Sequence, residues 1–93
     1  MIKRFADKPT AALFVGIAVK GVPPQLVKRA HLKLALIDAA ASLGFLRSPP
    51  GNCLEALKDD RAGQHSIRVS DQWRICFEFR DGDAYGVQFC DYP

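Results

Sequence analysis

Apolar residues recur along this chain with two periods, and the change falls in a proline- and glycine-rich stretch at 47–64. Before it the spacing is helical; after it apolar and polar residues alternate. A first helix is expected over residues 9–19, stopping at Gly21, with Asp7 placed to cap it and Pro9 tolerated in its first turn. Pro23-Pro24 opens a second helix, which the pattern carries to about Leu43 with Gly44 as its stop. At about 100° per residue, Leu26, Val27, Ala30, Leu34, Ile37 and Ala41 share one stripe of that helix, and Leu32, Leu36, Ala39 and Leu43 share another nearly opposite. A helix with two apolar stripes touches two things. One is expected to be a sheet; the other is the first helix, laid antiparallel, or a protein partner. His31 falls between the stripes among Lys28, Asp38 and Ser42 and reads as a solvated surface residue. Residues 2–5, apolar at Ile2 and Phe5, suit a short strand, and another strand or turn fits near 54–58.

Three alternating runs follow, at 66–70, 73–80 and 84–92. Ile67 and Val69, then Trp73, Ile75, Phe77 and Phe79, then Tyr85, Val87 and Phe89 hold the apolar positions. The opposite positions hold Arg68, Arg74, Glu78, Gln88 and Tyr92, with Ser66, Cys76 and Cys90. This is the pattern of an antiparallel meander with one buried and one open face. Register follows from parity. A two-residue loop at Asp81-Gly82 would bring Val87 and Phe89 to the open face, whereas a loop over 81–83 pairs Phe79 with Tyr85, Phe77 with Val87 and Ile75 with Phe89. The longer loop is expected, because a slip of one residue exposes a whole apolar set. The same reasoning at 70–72 pairs Ile67 with Ile75, Arg68 with Arg74, and sets Tyr92 beside Gln72. His65 falls on the apolar side.

Composition narrows the picture only a little. At 93 residues, 48% hydrophobic and 25% charged, the chain is expected to form one globular domain spanning 1–93. A net charge of +3 favours an anionic partner without proving one. Cys53, Cys76 and Cys90 are odd in number and share no CxxC spacing, which argues against a disulfide framework or zinc site and for small apolar residues in a reducing cytoplasm. The basic opening followed by apolar residues 11–19 imitates a secretory signal, but Lys20, Gly21 and two prolines stand where a cleavage site would be. That run is too short to span a membrane.

The open face carries the candidate chemistry. Arg68 and Arg74 oppose one another there, and like charges in that position destabilise a sheet. Either a carboxylate of the preceding loop, Glu55 or Asp59, or the phosphate of a ligand answers them. With Lys58, Arg61 and Tyr92 they form a basic patch bearing an aromatic, a surface suited to RNA. No metal-ligand motif, GxGxxG, P-loop, GxSxG or HExxH occurs. RNA cleavage in which the 2′-OH attacks its own phosphorus needs only an acid, a base and cations.

The run "RAGQHSIRVSDQWRICFEF", with "LRSPPGNCLEALKDDR" before it and "GDAY…DY" after it, resembles the HigB-type toxins of bacterial toxin–antitoxin modules, members of the RelE-like superfamily. The opening "MIKRF" and the "LIDAA" of the second helix extend the likeness over nearly the whole chain. The resemblance implies an α+β fold, with two N-terminal helices on one face of a small, twisted, mainly antiparallel sheet. It implies a toxin that cuts mRNA in the ribosomal A site, without a cofactor, in the cytoplasm. It also implies a helix-turn-helix antitoxin as partner, through which alone operator DNA is bound. Carried over by motif, Lys58, Arg74, Asp91 and Tyr92 are expected at the catalytic centre together with Glu55. Arg61, Arg68, His65 and Asn52 are expected to bind RNA or ribosome. Many members have Leu-His-x-Leu-Lys where this chain has Leu54 to Lys58, and end Asp-Tyr-His. Glu55 and Pro93 therefore stand where those members have histidines, the natural proton carriers near neutral pH. A catalytically weakened relative that binds antitoxin or ribosome is the alternative.

Overall fold

The computed structural model describes residues 1–48 and 50–91, so the expected site residues Tyr92 and Pro93 lie outside the described residues. Helix α1 spans Lys8–Phe14 and is capped as expected: Asp7 is extended, and its carboxylate accepts from the Thr10 backbone N–H at 2.8 Å and the Thr10 hydroxyl at 2.6 Å. It ends at Phe14, well short of residue 19. Gly16 takes the left-handed φ of +83°, Gly16 N–H donates to the Leu13 carbonyl and Ile17 N–H reaches back to Ala12. This double closure is a Schellman stop, and the glycine within the apolar run outweighs the hydrophobic spacing on either side. His31 is half-buried rather than solvated, because its Nδ1 donates to the Phe14 carbonyl at 2.8 Å, one of the acceptors the helix end leaves over.

Helix α2 covers Pro24–Ala39 and is also shorter than expected. Ala40 turns extended, Ser42 accepts from Phe45 N–H, and a separate short helix α3 begins over Leu43–Arg47. Ser42 was an N-cap within a continuous apolar spacing, and the cap decides where the chain breaks. Leu26, Ala30, Leu34 and Ile37 of α2 are buried, as their stripe requires. The other stripe divides. Leu36 packs partly against the core, while Leu32 stays 54% exposed.

Among the described residues four strands follow: β1 Glu55–Ala56, β2 His65–Arg68, β3 Trp73–Arg80 and β4 Asp83–Asp91. They form an antiparallel sheet in the order β1-β2-β3-β4, giving the expected α+β architecture. One face lies against the helices: Ile67, Ile75, Phe77, Ala84 and Val87 join Leu13, Leu34, Ile37 and Leu46 in one buried cluster. The far edge of β4 is not left bare. The opening segment runs parallel to it through bridges at Ile2–Ala84 and Phe5–Val87, and these replace the continuous strand expected at 2–5. Thr10 also accepts from Phe89 N–H at 3.0 Å, which ties α1 to the same strand.

The β2–β3 register is the expected one, with Ile67 opposite Ile75 and Arg68 opposite Arg74. Between β3 and β4 the expectation is half right. Ile75 does pair with Phe89, yet Phe79 pairs with Ala84 rather than Tyr85, around a two-residue turn at Asp81-Gly82. Both turn residues have positive φ, +50° and +82°, the conformation Asp-Gly favours in a tight hairpin. Parity is restored further along, where Phe77 alone faces both Gly86 and Val87, so the expected Phe77–Val87 pair becomes a bulge. Gly86 has φ +58°, and a bulge whose extra residue is a left-handed glycine is a stable way to absorb one residue. The chain thus uses the short turn and still buries Val87. Tyr85 is the residue that changes face: it sits opposite Glu78, with the Arg80 guanidinium 4.1 Å from its ring centre.

Candidate active site

The face of the sheet away from the helices is built in rows. Glu55, Ser66, Cys76 and Gln88 are successive cross-strand partners, and Arg68, Arg74 and Cys90 form the next row. The face is less open than alternation alone implied, since Ser66 and Cys76 are both fully buried. Arg74 covers them. Its Nε donates to Ser66 Oγ at 2.7 Å, and its Nη2 donates to the Cys53 carbonyl at 2.6 Å and more weakly to the Ser66 carbonyl at 3.4 Å. A guanidinium held at several donors is fixed in orientation while its charge remains uncompensated by any carboxylate among the described residues. Arg61 is fixed similarly, donating to Gln64 and Gln88, each at 3.1 Å.

The opposition of Arg68 and Arg74 is resolved within the protein. Arg74 leans toward Ser66 and the Cys53 carbonyl, while Arg68 turns to Asp71, three residues on, in an exposed ion pair. Among the described residues neither Glu55 nor Asp59 bridges them, and no bound phosphate is required to explain their register. Glu55 and Lys58 instead border a shallow hollow beside the face, both exposed and neither in an ion pair among the described residues.

The remaining expected site residues are placed differently. Asn52 is fully buried: its Oδ1 accepts from Lys33 Nζ, and its Nδ2 donates to the Leu46 carbonyl at 3.0 Å. It fastens the 50s loop to α2 and α3. His65 pairs with Phe77 on the helix side, as its parity indicated, and its Nδ1 is buried without a hydrogen-bond partner among the described residues. Asp91 pairs with Trp73, so its register places it with Trp73 and Phe89 rather than Arg74, and its carboxylate accepts from Gln72 Nε2 at 3.0 Å. The structure therefore sets Glu55, Arg61 and Arg74 about one face, with Arg68 at its rim and Lys58 in the hollow beside Glu55, and leaves Asn52, His65 and Asp91 in other settings.

Ser66 and Gln88, which anchor the two arginines, were not singled out by the sequence. Their signal was present: both alternate with apolar neighbours onto the polar face. A short polar side chain there gives no warning of which arginine it will hold. The two thiols were missed as a pair. Cys76 and Cys90 lie diagonally across β3 and β4 with their sulfurs 3.2 Å apart. The hydrogen bond from Cys90, helped by Arg61 and Arg74 against the opposing effect of burial, lowers Cys76 to about 7, while the shared proton pushes Cys90 up. Lys33, at the base of the same loop, is held below its usual value by burial and by Arg29.

The description of one protein family, RelE-like toxin of the type II toxin–antitoxin system HigB, matches residues 3–92. The chain belongs to that family. It is 42% identical over 92 residues to Endoribonuclease HigB of Proteus vulgaris, a match that covers 99% of each chain. It is 40% identical over 63 residues to Toxin HigB-1 of Vibrio cholerae serotype O1, spanning 68% of this chain and 66% of that one. An uncharacterized protein of Haemophilus influenzae is 36% identical over 63 residues, 68% of this chain and 62% of its own. Among the described residues, no helix is long and apolar enough to cross a membrane.

Proposed function

We propose that the protein is a toxin endoribonuclease that cuts mRNA on the translating ribosome. The observation that carries this is Arg74, anchored at three acceptors on the polar face, two of them on Ser66, the cross-strand partner of Glu55, in a member of this toxin family. The reaction is attack of a ribose 2′-OH on its adjacent phosphorus, with loss of the 5′-oxygen of the next nucleotide. Negative charge builds on the phosphoryl oxygens, and preorganised cations stabilise it without reorganising. Arg74 supplies a fixed fork for those oxygens and Lys58 a mobile point charge. Glu55 is the carboxylate nearest in register to receive the 2′-OH proton, and Tyr92 is the donor assigned to the leaving oxygen. Arg61 and Arg68 meet the flanking phosphates, and A-site mRNA is the substrate.

The proposal extends to partners: a helix-turn-helix antitoxin neutralises the toxin in the cytoplasm and carries the complex to operator DNA. Induction in growing cells is expected to arrest growth and to produce mRNA 5′ ends within A-site codons. Normal growth with intact transcripts at high expression overturns the reading.

A second reading has its own observation. Glu55 and Pro93 occupy the positions where many relatives place histidine, so the chain is then a weakened toxin that still binds antitoxin or ribosome. Replacing Pro93→His separates the two. Toxicity that appears only in the substituted protein favours the second reading; equal toxicity before and after favours the first.

A further inference from the structure

We infer that Cys76 and Cys90 form a peroxide-oxidisable dithiol on the floor of the RNA-facing surface. The inference rests on the proposed function only for its effect on cleavage, not for the chemistry of the thiols. Register makes the two residues diagonal neighbours, since Cys76 pairs with Gln88 and Cys90 with Arg74. Their sulfurs touch at 3.2 Å across a hydrogen bond in which either can be the donor. Two hydrophobes packed for volume alone do not need this sulfur-to-sulfur alignment. A disulfide of about 2 Å requires these sulfurs to close roughly 1 Å further.

Access and charge are divided between the pair. Cys76 is fully buried, whereas Cys90 is half-exposed on the same face. Arg61 and Arg74 lie close enough to influence the thiols, and both are held in place by hydrogen bonds to neighbouring polar groups. Positive charge beside a thiol favours its thiolate, the reactive form. The shared proton rests on Cys90, and its transfer to Cys76 across the hydrogen bond puts the thiolate on the more accessible sulfur; that Cys90 thiolate attacks hydrogen peroxide, takes one oxygen to become sulfenic acid, and releases the other as water after protonation. The Cys76 sulfur then attacks the Cys90 sulfur, forming the S–S bond and expelling the oxygen as a second water. Two thiols and one peroxide thus give one disulfide and two waters.

The bridge would fasten β3 to β4 directly beneath the groups that hold Arg61 and Arg74. Gln88, the acceptor for Arg61, is the cross-strand partner of Cys76, and Arg74 is the partner of Cys90. Pulling the sulfurs together therefore shifts the anchors of both arginines, and RNA cleavage is expected to fall when the bridge forms and return on reduction.

Peptide mapping of the purified, peroxide-treated protein tests this. Trypsin cuts after Arg74 and Arg80, leaving Cys76 in a peptide spanning 75–80, Cys90 in one starting at 81, and Cys53 in a third. The expected product is a dithiothreitol-sensitive link between the first two. The Cys90→Ser variant should lose that link and retain an unchanged Cys76 peptide, and circular dichroism checks that it folds. Linkage through Cys53 alone, or irreversible sulfinic acid with no Cys76–Cys90 peptide, overturns the inference. A linked protein that cuts RNA as fast as the reduced one overturns the effect on the arginines. If reduced protein shows no RNA cleavage under any condition, the proposed function fails, while the peptide map still decides the dithiol.

Discussion

The two faces of the sheet are made from the same strands and are held by different physics. On the helix side Ile67, Ile75, Phe77 and Val87 meet Leu13, Leu34, Ile37 and Leu46, and what matters is that each residue is apolar and fits. On the other side Ser66, Gln88, the Cys53 carbonyl and Asp71 each serve a particular guanidinium, and what matters is which donor reaches which acceptor. Burial is non-directional, so the first face tolerates a change of register that keeps the apolar set inside, as the bulge at Gly86 does. Hydrogen bonds are directional, so a small shift of the second face changes what the arginines can hold.

Substitutions should separate the faces. The largest effect belongs to Phe77→Ala, which empties the middle of the core and should lower unfolding free energy by about 3–5 kcal/mol in urea titrations. If the variant unfolds at nearly the wild-type midpoint, the helix-side face is not the principal source of stability. On the polar face, Ser66→Ala removes the acceptor for Arg74 Nε while leaving its backbone carbonyl. Cleavage should fall roughly tenfold, about 1.4 kcal/mol of barrier, with the unfolding midpoint changing little. A variant that loses stability but not activity would assign Ser66 to the wrong face.

Gly86→Ala probes the bulge that links the two registers. Its Cβ would meet nothing within 4 Å, so the expected loss of about 1 kcal/mol comes from the left-handed φ of +58° alone. Arg68→Ala should change stability by less than about 1 kcal/mol, because its pairing with Asp71 is exposed to solvent. A pH dependence cuts across both faces. Cys76 is lowered from 9.0 to about 7, so its stabilisation is complete above the unfolded value and is lost as pH falls through 7; stability in reducing buffer should rise from pH 7 to 9. Cys90 is shifted the opposite way, so its contribution is present below 9.0 and is lost at higher pH. Denaturation midpoints across this range should trace a rise and then a fall, and Cys76→Ser should flatten it.

The helix-side face was legible because alternation and helical spacing report burial directly. The Ile67–Ile75 and Arg68–Arg74 pairs followed from parity alone, as did the placement of His65. The helix ends were misread where a single residue outweighs a pattern: Gly16 stops α1, and Ser42 separates α3 from α2. The hairpin was misread because one unpaired residue can sit in the turn or in the strand, and parity at the far end is the same for both. Asp81-Gly82 favoured the tight turn, and Gly86 was the place for the extra residue. The site was only partly legible. Alternation put Arg68 and Arg74 on the polar face and the loop pattern put Glu55, Lys58 and Arg61 at its edge, but no periodicity indicates that Asn52 turns inward to Lys33 and the Leu46 carbonyl, or that Asp91 has the parity of Trp73. Partners of that kind are separated in sequence and meet only in the folded chain.

The most direct test of the polar face as the cutting surface is mRNA cleavage by Arg74→Ala in a reconstituted translation reaction, with 5′ ends mapped and wild-type protein alongside. The guanidinium is fixed at three acceptors on that face and has no carboxylate partner among the described residues, so its removal should reduce cleavage about 10²–10³-fold. The folded state should persist, because the core lies on the other side. Wild-type cleavage by a folded Arg74→Ala protein would contradict the assignment of the site to this face.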